Sequence, residues 1–192
     1  MSVQRRVIVV AGVPGVGKST IARILSERLG YPLIGINEFA REGGLVETKD
    51  EERGTEIIDL DKLRERISEK IHDEGREVLV EGHFAYDAVP DGLVSHAFIL
   101  RRAPWILKGE LEARGYPHGK VRENVEAELV DVCLAEALEA LDPEVVCEID
   151  TTDRELGEVA REIQAIIEGS ERCSRGSVDW LGCPEVRELI EW

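Results

Sequence analysis

The sequence predicts one α/β domain in which helices cover both faces of a five-stranded parallel sheet. A short run of β-branched residues, 7–11, ends directly at a glycine-rich loop, as is typical of a buried parallel strand. Further apolar runs alternate along the chain with segments whose apolar residues repeat at helical spacing. The length of 192 residues suits one such domain and is short for two. We therefore expect a doubly wound sheet.

The elements follow in order along the chain. Strands are predicted at the apolar runs 7–11, 31–34, 78–80, 97–100 and 145–149. Helices are predicted after the glycine loop as far as Leu29, then over 60–74, 104–113, 122–141 and 156–166. Gly30 and Gly75 supply stop signals for the first two helices, and Thr152 to Glu155 matches a capping box before the last.

Two segments carry a weaker pattern. Residues 35–57 contain paired glycines and a run of charges, which predicts an irregular, mobile insertion. Beyond Gly169 a polar stretch precedes Trp180, Leu181 and Trp192, so we expect a tether followed by a short docking helix. The tail either packs against the sheet edge or binds a partner. The predicted organisation is a domain over 1–169 and a tail over 170–192.

Composition narrows the class of protein. Apolar residues make up 43% and charged residues 33% of the chain, as in an ordinary globular protein. The formal net charge of −16 argues against a broad nucleic-acid surface, which requires clustered cations. The negative charge would either keep the protein soluble or attract a basic partner. No apolar stretch reaches the roughly 18 residues of a membrane span, and no signal peptide is evident, so we expect a cytoplasmic protein without a membrane partner.

The four cysteines do not indicate a metal site. Cys133, Cys147, Cys173 and Cys183 never approach C-x-x-C spacing, so zinc is not expected. Cys133 and Cys147 fall on a predicted apolar helix face and a predicted strand, where a buried thiol is the usual state. Cys173 and Cys183 could pair within the tail, although nothing indicates an oxidising compartment.

The glycine-rich loop carries the strongest functional signal. Residues 12–19 fit G-x-x-x-x-G-K-[ST] between a predicted strand and a predicted helix, the context of a P-loop. Its glycines let backbone N–H groups and the helix N-terminus point at one anion. Lys18 would reach the β- and γ-phosphates of ATP, and the Ser19 hydroxyl would take a Mg²⁺ position. The predicted ATP contacts in this loop are Gly12, Val13, Pro14, Gly15, Val16, Gly17, Lys18 and Ser19.

Three further segments, taken with the loop, resemble a known family. They are Asn37 to Glu42 after the second strand, Glu81-Gly82-His83 at the end of the third, and Arg114-Gly115-Tyr116 after the fourth. The set resembles the atypical adenylate kinases that double as small-subunit ribosome assembly NTPases, in register from about 7 to about 167. The resemblance implies a P-loop NTPase fold of the nucleoside monophosphate kinase type.

The resemblance also implies roles for individual residues. Thr20 would join the ATP contacts, and Arg114 would reach the ATP phosphates from a short lid at about 113–123. A segment at about 35–56 would close over the monophosphate, with Arg41 on its phosphate and Asn37 beside it. Glu81 would share the Mg²⁺ with Ser19. Eukaryotic members carry Asp at this position, and Glu is longer by one methylene, so the contact would be direct or through a water. His83 would orient the attacking group or a water, unless it only caps nearby backbone.

Independent reasoning supports this placement. Ligands of open parallel sheets bind beyond the carboxyl ends of the strands, where residues 12, 37–41, 81–83 and 101–102 are predicted to lie. Phosphoryl transfer needs cations around dispersed negative charge. The candidate cations are Arg41, Arg101, Arg102, Arg114 and Arg122. We assign Arg101, with Asn37 and Arg41, to the monophosphate site, and Lys18, Glu81, His83 and Arg114 to catalysis.

Three functions are open at this stage. The first is Mg²⁺-dependent transfer of a phosphoryl group from ATP to AMP, with broad acceptor specificity and accompanying ATP hydrolysis. The second, also implied by the resemblance, is an ATP-driven switch in small-subunit rRNA maturation, with the eleventh small-subunit ribosomal protein as partner and transient subunit association. The third is a P-loop kinase of another small metabolite.

Overall fold

A computed structural model describes residues 6–50 and 55–190 of the chain. Within these residues lie the strands β1 (Val7–Ala11), β2 (Leu33–Gly35), β3 (Val46–Asp50), β4 (Thr55–Ile58), β5 (Val78–Glu81), β6 (Val94–Arg101) and β7 (Val146–Asp150). The helices are α1 (Lys18–Leu29), α2 (Ile36–Glu42), α3 (Leu60–Glu74), α4 (Ala85–Ala88), α5 (Pro104–Ala113), α6 (His118–Leu129), α7 (Val132–Ala140), α8 (Leu156–Ile167) and α9 (Val186–Ile190).

Five strands form one parallel sheet in the order β2-β5-β1-β6-β7, which confirms the predicted fold class. Every residue of β1 is buried, because this central strand is covered on both faces. Val10 of β1 and Gly35 of β2 both pair with Glu81 of β5. The carboxyl ends of three strands therefore meet at one edge of the sheet, beside the glycine loop.

The insertion after β2 is more regular than the sequence indicated. Instead of an irregular segment, α2 follows β2 directly, and β3 and β4 form an antiparallel hairpin whose residues pair from Val46–Ile58 to Asp50–Thr55. Residues 51–54 of the insertion lie outside the described residues, as does Trp192. The prediction failed because strands in a two-stranded ribbon are short and their alternation was masked by charged residues.

Two helix predictions are also corrected. The single helix expected over 122–141 is two helices, because Asp131 adopts a left-handed conformation with φ of 59° between α6 and α7. The capping box at Thr152 does not form. Glu155 occupies the N-cap of α8 without a side-chain hydrogen bond, and the Thr152 hydroxyl accepts a hydrogen bond from the Ala103 N–H instead.

The tail packs against the edge of the sheet. The Glu148 N–H of β7 donates to the carbonyl of Ser174, and a disulfide joins Cys147 of β7 to Cys173. The sequence had placed a free thiol at Cys147 and a possible pairing of Cys173 with Cys183, so both expectations are wrong. Leu189 of α9 is buried in the same core as the sheet. None of the helices in the described ranges is long and apolar enough to cross a membrane.

Candidate active site

The P-loop wraps around the point where β1 ends and α1 begins. Gly12 has φ of 137°, and a Cβ at this position would lie 2.5 Å from the Leu100 carbonyl oxygen. Gly15 has φ of 100°, and a Cβ there would lie 2.5 Å from the Leu107 side chain. Only glycine fits either position. The buried Thr151 hydroxyl, which the sequence did not single out, follows β7 and lies 2.9 Å from the Arg101 carbonyl and 3.3 Å from the Val16 carbonyl of the loop.

Lys18 is the cation at the centre of the loop. Its ammonium group donates to the Val13 carbonyl at 2.9 Å across the loop. The pKa of Lys18 is lowered to about 8, chiefly by burial; the charge of Glu81 opposes this change, and the charge of Arg114 contributes to it. A partly buried cation with incomplete compensation binds an arriving anion favourably, because the charge of the anion replaces the stabilisation that water would give.

Ser19 and Glu81 converge from different elements, as the sequence predicted. Glu81 ends β5, and the Ser19 hydroxyl lies 3.2 Å and 3.3 Å from its two carboxylate oxygens. Both residues line an open cleft of about 360 Å³ together with Glu38. No group of three metal-binding side chains occurs in the part of the chain that the structure describes. Ser19 and Glu81 together provide one hydroxyl and one carboxylate, which are oxygen ligands of the kind that hard divalent cations prefer.

A different cleft, called the first cleft below, has a volume of about 190 Å³ and opens on the α5 side of the loop. Gly15, Gly17 and Thr20 line it together with Arg114, which is exposed just beyond α5. Arg102, one of the candidate cations from the sequence, also lines this cleft. The structure adds residues that the sequence had not offered, namely Glu110, Arg154, Glu155 and Leu156. Arg154 follows the carboxyl end of β7, so the rule for parallel sheets that indicated Arg102 could have indicated it as well.

The cleft called the second cleft below has a volume of about 420 Å³ and lies between Pro14 of the loop and residues of α2 and α6. It brings together the predicted residues Asn37, Arg41 and His83, which lie on α2 and after β5. Arg41 is exposed, and its Nε lies 2.7 Å from a carboxylate oxygen of Glu56 in β4. This volume falls in the range of small-molecule sites.

The same cleft contains residues to which the sequence analysis assigned no individual role. Helix α6 contributes Lys120, Glu123 and Asn124, and Tyr116 precedes it. Their spacing of three and four residues is the signal that was available, because it places all three on one helix face. Arg122, which the sequence had offered as a cation, is exposed and lies 2.7 Å from Glu126 on the same helix.

His83 lines the second cleft and lies close enough to Lys18 of the P-loop to feel its charge. Burial lowers the pKa of His83, and the charges of Lys18 and Lys120 add to this effect, whereas Glu136 and Glu123 oppose it. The imidazole is therefore neutral at pH 7 and can accept a proton or a hydrogen bond.

Arg101 is not a site residue, and its assignment to the monophosphate is wrong. Its side chain is only 1% exposed. Its guanidinium lies 2.7 Å from Glu128 and 2.5 Å from Glu148, and it also pairs with Asp131. The ring of Trp180 lies 6.0 Å from it. Arg101 therefore pairs with three carboxylates and lines neither cleft. Its contacts with Glu128, Glu148 and Trp180 hold α6, β7 and the tail together.

The loop, the sheet order and the two flanking clefts define a P-loop α/β domain. The chain belongs to the family described as "AAA domain", whose model matches residues 8–131. The solved structures "Shikimate kinase from Acinetobacter baumannii in complex with shikimate" and "Crystal structure of a sugar kinase", from Janibacter sp., share this fold. They are 16% and 21% identical, with TM-scores of 0.57 and 0.54. The matches cover 87% and 85% of this chain and 95% and 94% of theirs.

Sequence comparison gives a narrower relationship. The chain is 40% identical over 174 residues to the "Putative adenylate kinase" of Thermococcus onnurineus, with 91% of each chain covered. It is 43% identical over 175 residues to the protein of the same name from Methanothermobacter thermautotrophicus, with 91% of this chain and 97% of that one covered. The chain therefore belongs to the same family as these archaeal proteins, as the sequence resemblance predicted.

Proposed function

We propose that this protein transfers the γ-phosphoryl group of ATP to a nucleoside monophosphate, with AMP as the foremost acceptor, and that it hydrolyses ATP when no acceptor is bound. The observation that carries the proposal is a pair of clefts on opposite sides of one P-loop. Gly15 lines the first and Pro14 the second, so two ligands could meet at the loop between them. The names of the archaeal relatives support the same activity.

In this proposal the first cleft holds ATP. Backbone N–H groups of the loop and the N-terminus of α1 face its phosphates, and Lys18 compensates the charge on the β- and γ-groups. Arg114 at the mouth of the cleft would add a further cation. Mg²⁺ fits the Ser19 and Glu81 oxygens, and when bound it would neutralise charge that develops on the phosphates.

The second cleft would hold the acceptor. Arg41 provides a cation for its phosphate, and Asn37 lies on the same helix, one turn earlier. A monophosphate already carries an ionised oxygen, so transfer needs positioning more than a general base. Hydrolysis must instead orient a neutral water, for which the neutral imidazole of His83 is suited.

The decisive experiment measures products from the purified protein with ATP and Mg²⁺, with each nucleoside monophosphate in turn and with none. We expect ADP to form fastest with AMP, in the ratio of two ADP for each ATP consumed, and slowly without an acceptor. Product formation only with a non-nucleotide acceptor such as a sugar would contradict the proposal and favour a metabolite kinase.

A second candidate is an assembly switch in small ribosomal subunit maturation, in which ATP binding and hydrolysis control affinity for a basic ribosomal protein. The net charge of −16 favours it, because an acidic surface attracts a cationic partner. Pull-down of small-subunit proteins with ATP, with ADP and without nucleotide tests it. Nucleotide-dependent retention of one basic protein would support the switch, and equal retention in all three would exclude it.

A further inference from the structure

The second cleft contains two ion pairs contributed by different elements. Arg41 of α2 pairs with Glu56 of β4 at 2.7 Å, and Lys120 of α6 pairs with Glu123 at 3.2 Å. All four residues line the cleft. Each cation is therefore neutralised locally before any phosphate arrives, and each can exchange a carboxylate for a phosphate oxygen.

Lys120 lies on the face of α6 that lines the cleft. Its side chain is 22% exposed, and the Asn124 side-chain amide, one turn later, donates to the Lys120 carbonyl at 2.7 Å. Asn124 itself is 8% exposed. Arg122 lies on the solvent side of the same helix, with a side chain that is 54% exposed. Helix α6 thus presents one cation to the cleft and another to water.

We propose that Lys120 is a catalytic residue for phosphoryl transfer, in which its ammonium leaves Glu123 and contacts the phosphoryl group between donor and acceptor. The inference rests on the function proposed above. The bond from the γ-phosphorus to the bridging oxygen of ATP breaks, and its electron pair stays on ADP. A monophosphate oxygen forms the new bond to phosphorus. Lys120 keeps its proton and changes only its hydrogen-bond partner.

The partner exchange costs little. The Glu123 side chain is 53% exposed, and ion pairs at such positions are weak. In the transition state the same ammonium would face charge spread over the equatorial oxygens, in a cleft that the acceptor has filled and partly dried. Lys120 would therefore interact more strongly with the transition state than with Glu123, which is the condition for catalysis rather than for binding alone.

The test compares Lys120→Gln with Arg122→Gln in the full chain. Both remove one positive charge from α6, so the effect on long-range attraction of nucleotides is matched. We expect Lys120→Gln to lower kcat for transfer to AMP about 100-fold or more and to raise KM for AMP less. Arg122→Gln should stay within about twofold of the unaltered protein. Lys120→Arg should recover much of the lost rate, because it restores the cation.

Glu123→Gln separates catalysis from structure. If Lys120 acts only through its ion pair, Glu123→Gln must reproduce the loss of kcat, which would overturn the proposal. We expect instead a loss of kcat about tenfold or more smaller than that of Lys120→Gln, because the Lys120 ammonium itself is retained. Equal kcat in Lys120→Gln and Arg122→Gln would also overturn the proposal while leaving the proposed function intact. Absence of transfer in the unaltered protein would overturn both.

Discussion

Replacing Lys18 by methionine should abolish activity and stabilise the nucleotide-free protein. Burial lowers the pKa of Lys18 from its ordinary value of 10.5 to about 8. That lowering of the pKa corresponds to about 3 kcal/mol. At pH 7 Lys18 is charged, so the folded protein is destabilised by this amount relative to the unfolded chain. The methionine variant also loses the hydrogen bond to the Val13 carbonyl, which reduces its gain in stability by about 1 kcal/mol. We expect Lys18→Met to raise the free energy of unfolding by about 1–2 kcal/mol.

The pH dependence fixes the sign of this effect. Between pH 8 and 10.5 the unfolded chain holds a proton on Lys18 that the folded protein has released, so the stability of the unaltered protein rises with pH in this window. The advantage of the methionine variant is therefore full below about pH 8 and disappears above about pH 10.5. Groups that titrate equally in both proteins cancel in the comparison.

Urea unfolding of both proteins at pH 7 and at pH 10 measures the effect, and ADP release gives the activity. Mg²⁺-ATP should stabilise the unaltered protein and not the variant, because binding to the folded state adds to stability only where a site remains. A variant less stable than the unaltered protein at pH 7, or a difference that does not change with pH, would refute this account of Lys18.

Three other changes test different parts of the molecule. Arg41→Ala should raise KM for AMP about tenfold while ATP hydrolysis without acceptor is unchanged; equal loss in steady-state assays of both would place Arg41 at the donor site. Arg101→Met should destabilise the protein by about 3–5 kcal/mol in urea unfolding, because buried carboxylates lose their cation, and the loss should shrink toward acidic pH. Cys173→Ser should cost about 3 kcal/mol under oxidising conditions and nothing measurable in excess reductant, whereas a cost that is the same in both would assign the effect to packing.

The sheet and the loop could be predicted because their signals are local. A β-branched strand, a fixed glycine pattern and a following helix all lie within residues 7–29, and each supports the same structure. Glu81 could be placed beside Ser19 because strand ends in a parallel sheet converge on one edge. The Ser19 hydroxyl lies 3.2 Å from a Glu81 carboxylate oxygen, as that placement requires.

The errors arise where the outcome depends on distant contacts. Nothing near Arg101 in sequence shows that Glu128 and Glu148 will approach it, since they are 27 and 47 residues away. The pairing of Cys147 with Cys173 likewise depends on where the tail crosses β7. Lys120 was overlooked for a different reason. The sequence assigned the phosphate contact in this segment to Arg114, which precedes Gly115. It also predicted that the helix begins at 122, two residues after Lys120, whereas α6 begins at His118.

Arg101 and Arg102 show how one strand end serves both structure and site. Arg101 points into the core, whereas Arg102 donates to the Thr151 carbonyl at 2.9 Å and lines the first cleft. Glu128 joins the two, because its carboxylate accepts from the Arg101 side chain, the Arg102 N–H and the Trp180 indole. The tail thereby anchors the end of α6 whose other end carries Lys120. Contacts of the tail with Glu128 and with β7 therefore stabilise the helix that lines the second cleft, although the tail itself lines neither cleft.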